Sequence, residues 1–182
     1  MRHAGLALSQ QLAADDFSLF QFPRRYTLDR DTLDRRWKDL QREAHPDKFA
    51  SQGAAAQRVA MQWSVRINEA YQRLKDPLKR AAYLCELEGA PIQAESNTAM
   101  PAAFLMQQMA WREALDDAQT PSDLEALHSS VLGVRDQQRA LCAQQLDQDK
   151  SFPQAAQTVR ALMFIERFVS DIETRLDQMD GV

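Results

Sequence analysis

The sequence predicts an all-α protein, and two features of it carry that expectation. Ala, Leu, Gln, Met and the charged residues fill 122 of the 182 positions, and these side chains lose little freedom on entering a helix. Val, Ile and Thr supply 17 and glycine 5, too few β-formers and turn residues for a sheet protein. Periodicity agrees, because apolar positions recur every three or four residues along most of the chain.

The elements follow in order. The first sixteen residues carry apolarity only in fragments and close on Asp15 and Asp16. They are too acidic for a transit peptide and too broken for a signal sequence, so a frayed terminus is expected. Leu33, Trp37, Leu40 and Ala44 then mark a helix that stops at His45-Pro46, since the proline ring disfavours helical geometry in the residue before it. Val59, Trp63, Ile67, Ala70 and Leu74 form the stripe of a second helix, leaving His45 to Gly53 as an exposed loop between the two. Asp76-Pro77 supplies the cap and first turn of a third helix running to Gly89.

Gly89, Pro91, Asn97 and Pro101 then punctuate the chain. They place a linker at about residues 89–99, between a module at 17–88 and another at 100–182. Three helices are expected in the second module, at about 100–118, 122–148 and 152–178, broken at Thr120-Pro121 and Ser151-Phe152-Pro153. The middle stripe is Leu124, Leu127, Val131, Val134 and Leu141; the last is Leu162, Ile165, Val169, Ile172 and Leu176. Short connections between such stripes describe a three-helix bundle.

The overall charge of −4 is unevenly divided. Residues 17–88 carry 14 basic and 10 acidic side chains, and residues 89–182 carry 7 and 14. That asymmetry points to different partners for the two modules. A membrane span is excluded, since the longest stretch free of charged or strongly polar residues, Ala99 to Met106, falls far short of the ~20 residues required. Cys85 and Cys142 lie far apart in sequence with no Cys or His at ligand spacing. They read as small buried hydrophobes in a reducing, cytoplasmic setting, and no metal or cofactor is expected.

No catalytic constellation is present. His3 falls in the frayed end, and His128 sits among Leu127, Ser129 and Ser130 with no activating partner. The distinctive segment is His45-Pro46-Asp47-Lys48-Phe49, preceded by Arg35, Arg36, Lys38 and Arg42. A loop offering an imidazole, a rigid ring and a carboxylate beside a basic helix suits recognition; a solvated turn is the plainer alternative.

The wider pattern decides between them. The basic helix, the His-Pro-Asp tripeptide, the long following helix, and Ile67-Asn68-Glu69-Ala70-Tyr71 with Leu74, Pro77, Arg80 and Tyr83-Leu84 resemble the J-domain of DnaJ-type co-chaperones. Specifically, they resemble the HscB family of iron–sulfur cluster biogenesis. Phe17 to Phe22 is similar to that family's opening segment. Phe104-Leu105-Met106, Arg112-Glu113 and Leu115-Asp116 are similar to the first helix of its C-terminal domain.

The resemblance implies a J-domain, a helical hairpin with its His-Pro-Asp loop, followed by a C-terminal bundle. The J-domain would dock on an HscA-type, DnaK-like chaperone and stimulate its ATP hydrolysis, and the C-terminal helices would hold the scaffold protein IscU. Carried over by motif, His45, Pro46 and Asp47 trigger the ATPase, while Arg35, Arg36, Lys38, Arg42 and Lys48 contact an acidic face of the chaperone. The chain itself would hydrolyse nothing.

The client face is also argued from helical geometry. At about 100° per residue, Phe104, Trp111, Ala114, Leu115 and Ala118 make a sufficient core stripe. Leu105, Met106 and Met109 point away from it, edged by Glu113 and Asp117, and the last helix places Phe164 off its own stripe. An apolar patch rimmed by acid suits a client; burial against the J-domain is the alternative.

Two departures stand out. Ala110 occupies the outward arc where the family pattern has an acid, which lowers the negative charge expected there. The paired-cysteine extension of some eukaryotic members is missing, which fits a bacterial-type protein.

The rivals are a J-domain protein serving another client, a non-chaperone helical adaptor, a nucleic-acid binder and an iron–sulfur carrier. Six acids among eight basic residues between Arg24 and Lys48 leave no uniformly basic stripe for nucleic acid. Two distant cysteines do not ligate a cluster, and an adaptor has no use for His45.

Overall fold

The computed structural model describes residues 14–93 and 100–180. Every regular element among the described residues is helical. The chain divides into two compact units between Leu84 and Cys85, earlier than the Gly89 boundary expected from punctuation. The reason is packing. Cys85 is fully buried with its Sγ 4.0 Å from the Phe152 carbonyl, and Arg160 donates to the Ile92 carbonyl at 2.9 Å, which ties residues 85–92 to the second unit. Most of the expected linker, residues 94–99, lies outside the described residues.

The first unit opens with α1 (Asp16–Leu19), capped by Asp15, whose carboxylate accepts from the Ser18 N–H at 3.0 Å. The expectation of a free terminus through residue 16 is corrected here; residues 1–13 lie outside the described residues. Asp16 is fully buried, with Arg66 and Arg73 each 2.7 Å from its carboxylate oxygens, and its own N–H donates to the Tyr83 hydroxyl at 3.0 Å. A buried carboxylate persists only when paired in this way.

Helix α2 (Arg30–Glu43) is capped by Asp29 and packs against α3 (Ala54–Lys75). Leu33, Ile67, Ala70 and Leu74 are fully buried, and Trp37 stacks on Tyr71 with ring centroids 4.6 Å apart. Each such burial contributes roughly 1.5–3 kcal/mol. Val59, expected in this core, is instead 41% exposed. The Ser64 hydroxyl donates to the Ala44 carbonyl at the end of α2 (3.3 Å), so residues before Ala60 run past the neighbouring helix. Helix α4 (Pro77–Leu87) starts as expected, with Asp76 Oδ1 accepting from the N–H groups of Leu78 and Lys79.

The second unit contains α5 (Ala102–Asp117), α6 (Pro121–Gln144) and α7 (Phe152–Asp180). Thr120 and Asp123 form a reciprocal capping box at the start of α6. The helix expected to run to 148 is α-helical to Gln144 and then widens into a π-helical turn, Gln145–Asp149, closed by Lys150 in the left-handed region. The core joins Trp111 of α5, Leu124 and Val131 of α6, and Ile165, Phe168, Val169 and Ile172 of α7. Arg139 and Glu166 bridge α6 and α7 at 2.6 Å. Two expected core positions are corrected: Ala114 is exposed, and Leu141 is 40% exposed because it borders an open groove.

Candidate functional site

The segment His45 to Gly53 is more ordered than a loop: Pro46–Gln52 forms a 3-10 helix. His45 is its N-cap. The imidazole Nδ1 accepts from the Asp47 N–H at 3.3 Å, and the Lys48 N–H donates to the His45 carbonyl at 3.0 Å. Proline at the first position of the turn has its φ already set. The turn is held from behind, since Phe49 packs edge-on against Trp63 at 5.8 Å and Gln41 donates to the Ser64 carbonyl at 3.1 Å. These supports gave no signal in the sequence, because each depends on a partner some 14–23 residues away.

What the turn presents is polar and open. The His45 side chain is 59% and the Asp47 side chain 90% exposed, with Nδ1 3.5 Å from Asp47 Oδ2. Pro46 is half-buried and Lys48 exposed. On α2, Arg35, Lys38 and Arg42 are exposed. Arg42 lies 3.5 Å from Asp39, and Arg35 donates to the Thr32 hydroxyl at 3.3 Å. Exposed pairs of this kind contribute little to stability and leave the cations available to a partner.

Arg36 does not belong with them. Its guanidinium donates to the carbonyls of Phe20 (2.6 Å) and Gln21 (3.0 Å) and lies over the Phe22 ring at 4.5 Å. Arg36, expected as a contact residue, is engaged within its own unit. It binds the 20–22 segment to α2, where Gln21 takes a positive φ of 58° and turns its carbonyl toward the helix. Nearby, desolvation pushes the Asp34 carboxyl up, but hydrogen bonds from Arg30 (2.7 Å) and Tyr71 (3.0 Å) outweigh it and hold that carboxyl below its usual range.

On α5, Leu105, Met106 and Met109 are exposed, Met106 and Met109 by more than 70%. Glu113 and Asp117, also exposed, edge the patch, as does Ala110. Phe164 sits differently from Leu105, Met106 and Met109. It is half-buried, stacked on Phe168 (6.1 Å) and edge-on to Phe104 (5.9 Å), with the Arg112 guanidinium 5.8 Å from its ring centre. Phe164 supports α5 from beneath as much as it faces outward, because an aromatic side chain beside the core stripe reaches sideways to its neighbours.

Among the described residues, no group of three or more His, Cys, Asp or Glu is arranged to hold a metal, and no helix is long and apolar enough to cross a membrane. Both cysteines are buried. Desolvation pushes the Cys85 thiol up to about 11 and the Cys142 thiol to about 12. Neither is a nucleophile at neutral pH.

Comparison with known proteins agrees with this geometry. Residues 100–173 match the family model of the HSCB C-terminal oligomerisation domain. The co-chaperone protein HscB homolog of Burkholderia mallei (strain SAVP1) is 46% identical over 166 residues, covering 90% of this chain and 95% of that protein. Among solved structures, the chaperone HscB from Vibrio cholerae superposes with a TM-score of 0.78 at 34% identity, covering 91% of this chain and 99% of its own. Human co-chaperone protein HscB gives 0.79 at 27% identity, covering 91% and 81%. The fold is thus an N-terminal J-domain followed by a C-terminal helical domain, and the chain belongs to the HscB family of co-chaperones of iron–sulfur cluster assembly.

Proposed function

We propose that the protein binds an IscU-type iron–sulfur scaffold through α5, delivers it to an HscA-type, DnaK-like chaperone and stimulates that chaperone's ATP hydrolysis. The observation that carries the reading is the exposed display of His45 and Asp47 on a capped turn, beside the exposed cations Arg35, Lys38, Arg42 and Lys48. A preformed turn loses little entropy on docking, and a cationic flank steers an acidic partner toward it. The chaperone supplies the ATPase chemistry; this chain supplies the trigger. We place the chaperone-facing module at 17–88, the client-facing module at 100–182 and the protein in the bacterial cytoplasm. The client patch supports a protein client, since Met side chains adapt to irregular surfaces.

Steady-state ATP turnover of an HscA-type chaperone is the test, measured with this protein, with the IscU-type scaffold and with both. Stimulation by the protein alone, increased further by the scaffold, is expected. Stimulation that ignores the scaffold would assign the protein another client, and none at all would overturn the reading.

A further inference from the structure

We infer that the groove among α5, α6 and α7 is a second client subsite, which holds an extended, uncharged segment of the client polypeptide through its main chain. The inference rests on the client-binding reading of α5 and deepens it.

The groove has a volume of about 510 Å³, inside the ~300–1,000 Å³ typical of ligand sites. Its composition sets it apart. None of its fourteen lining residues is charged, in a chain where 26% are, and six are glutamine against 20 in all 182 residues. The Gln145 carboxamide is committed, accepting from the Thr158 hydroxyl at 2.8 Å. Those of Gln107, Gln137, Gln138, Gln154 and Gln157 make no hydrogen bond within the described residues. The lining also includes the apolar side chains of Phe104, Val134, Leu141 and Ala161, with Leu141 left 40% exposed. Gln145 lines the groove where α6 gives way to the π-helical turn, a distortion frequent at functional sites.

The occupant follows from that chemistry. A carboxamide offers one acceptor and an NH2 donor, the same complement as a peptide unit. Several of them beside apolar side chains therefore match an extended chain, whose main-chain groups are unpaired and whose side chains alternate in direction. A helix has no free main-chain groups for them. A charged segment would lose hydration without gaining a counter-charge.

Position on α5 supplies the continuity. At about 100° per residue, Ala103 and Gln107 face the groove, Ala110 lies at its edge and Met106 follows about 60° beyond Ala103, while Leu105 and Met109 lie further round the helix. From Met106 a client reaches the groove across the small side chains of Ala103 and Ala110.

The test uses the full-length protein and purified IscU-type scaffold. The photo-crosslinking residue p-benzoylphenylalanine is placed at Gln157 in the groove and, separately, at Met106 on the patch. Scaffold affinity is also measured for the Gln138→Glu, Gln157→Glu double variant, with folding checked by circular dichroism. Crosslinks from both positions, with the groove crosslink mapping to a scaffold stretch free of charged residues, and an affinity loss of at least about fivefold are expected. Crosslinking from Met106 alone, with wild-type affinity in the double variant, overturns the groove and leaves the patch standing. Crosslinking from Gln157 alone overturns the patch and, with it, the groove's place as a second subsite. Crosslinks from neither position overturn both, and a Gln157 crosslink to a second copy of this chain overturns the inference in favour of self-association.

Discussion

The His45 imidazole caps the turn that displays Asp47: its Nδ1 accepts from the Asp47 N–H at 3.3 Å while both side chains stay open to solvent. Display and local structure therefore meet in one residue. Replacing His45 with Gln is expected to abolish stimulation of the chaperone's ATPase. Loss of a cap costs about 0.5–2 kcal/mol, and no core contact is involved, so helical circular dichroism should be retained. A His45→Gln protein that loses its helicity would make the residue structural.

The cations of α2 should separate into two groups. Charge reversal at Arg35, Lys38 and Arg42 is expected to weaken chaperone binding and flatten its salt dependence, because exposed charges act over a Debye length of about 10 Å at 0.1 M salt. Scaffold binding should be unaffected. Arg36→Ala is expected to act on folding instead, at about 1.5–3 kcal/mol for its charge-assisted bonds to the Phe20 and Gln21 carbonyls. Urea denaturation of each variant beside calorimetric binding distinguishes the two behaviours.

Leu105→Ala, Met106→Ala and Met109→Ala together should abolish scaffold binding, and each should change stability by under about 0.5 kcal/mol, as exposed truncations do. Phe164→Ala should behave differently. Its contacts with Phe104 and Phe168 lie at the edge of the core, so a cost of about 2 kcal/mol or more is expected. Thermal melts of the triple variant and the single variant settle this. A triple variant that melts as far below wild type as Phe164→Ala would mean the patch is structural.

Asp16→Asn removes the shared carboxylate of Arg66 and Arg73. Breaking a buried pair typically costs 3–5 kcal/mol; here roughly 3 is expected, since both arginines keep some contact with water. Denaturant midpoints should fall accordingly. Loss below about 1 kcal/mol would show that α1 is held by Phe17, Leu19 and Phe20 alone.

Acid should loosen the same segment through Asp15. Desolvation pushes that carboxyl up, but hydrogen bonds from Ser18 and Arg24 prevail and hold it below its ordinary 3.8. A lowered folded pKa means the contribution is complete above about pH 4 and disappears as pH falls through the folded value. Hydrogen exchange of α1 between pH 5 and pH 2.5 should accelerate beyond its intrinsic pH dependence, and Asp15→Asn should remove the excess.

Much of the fold was legible in the sequence because helices advertise themselves locally. The stops at Pro46, Thr120-Pro121 and Ser151-Pro153, the Asp76 cap and the stripes of Leu33, Ile67, Leu74, Ile165 and Ile172 all depend on residues within a turn or two of one another. The His-Pro-Asp motif and the outward arc of Leu105, Met106 and Met109 are local in the same sense, the latter following from 3.6-residue periodicity alone. What only the tertiary structure decided are relationships between residues distant in sequence. Helical period cannot distinguish Arg36 from Arg35, since the difference is a pair of carbonyls about fifteen residues away. Likewise it cannot show that Asp16 is buried by arginines 50 and 57 residues on, that Phe164 leans on Phe104, or that Val59 outruns its neighbouring helix. Burial belongs to the surface a residue meets. A single helix specifies which way its side chains point, and only the packing of several decides what covers them.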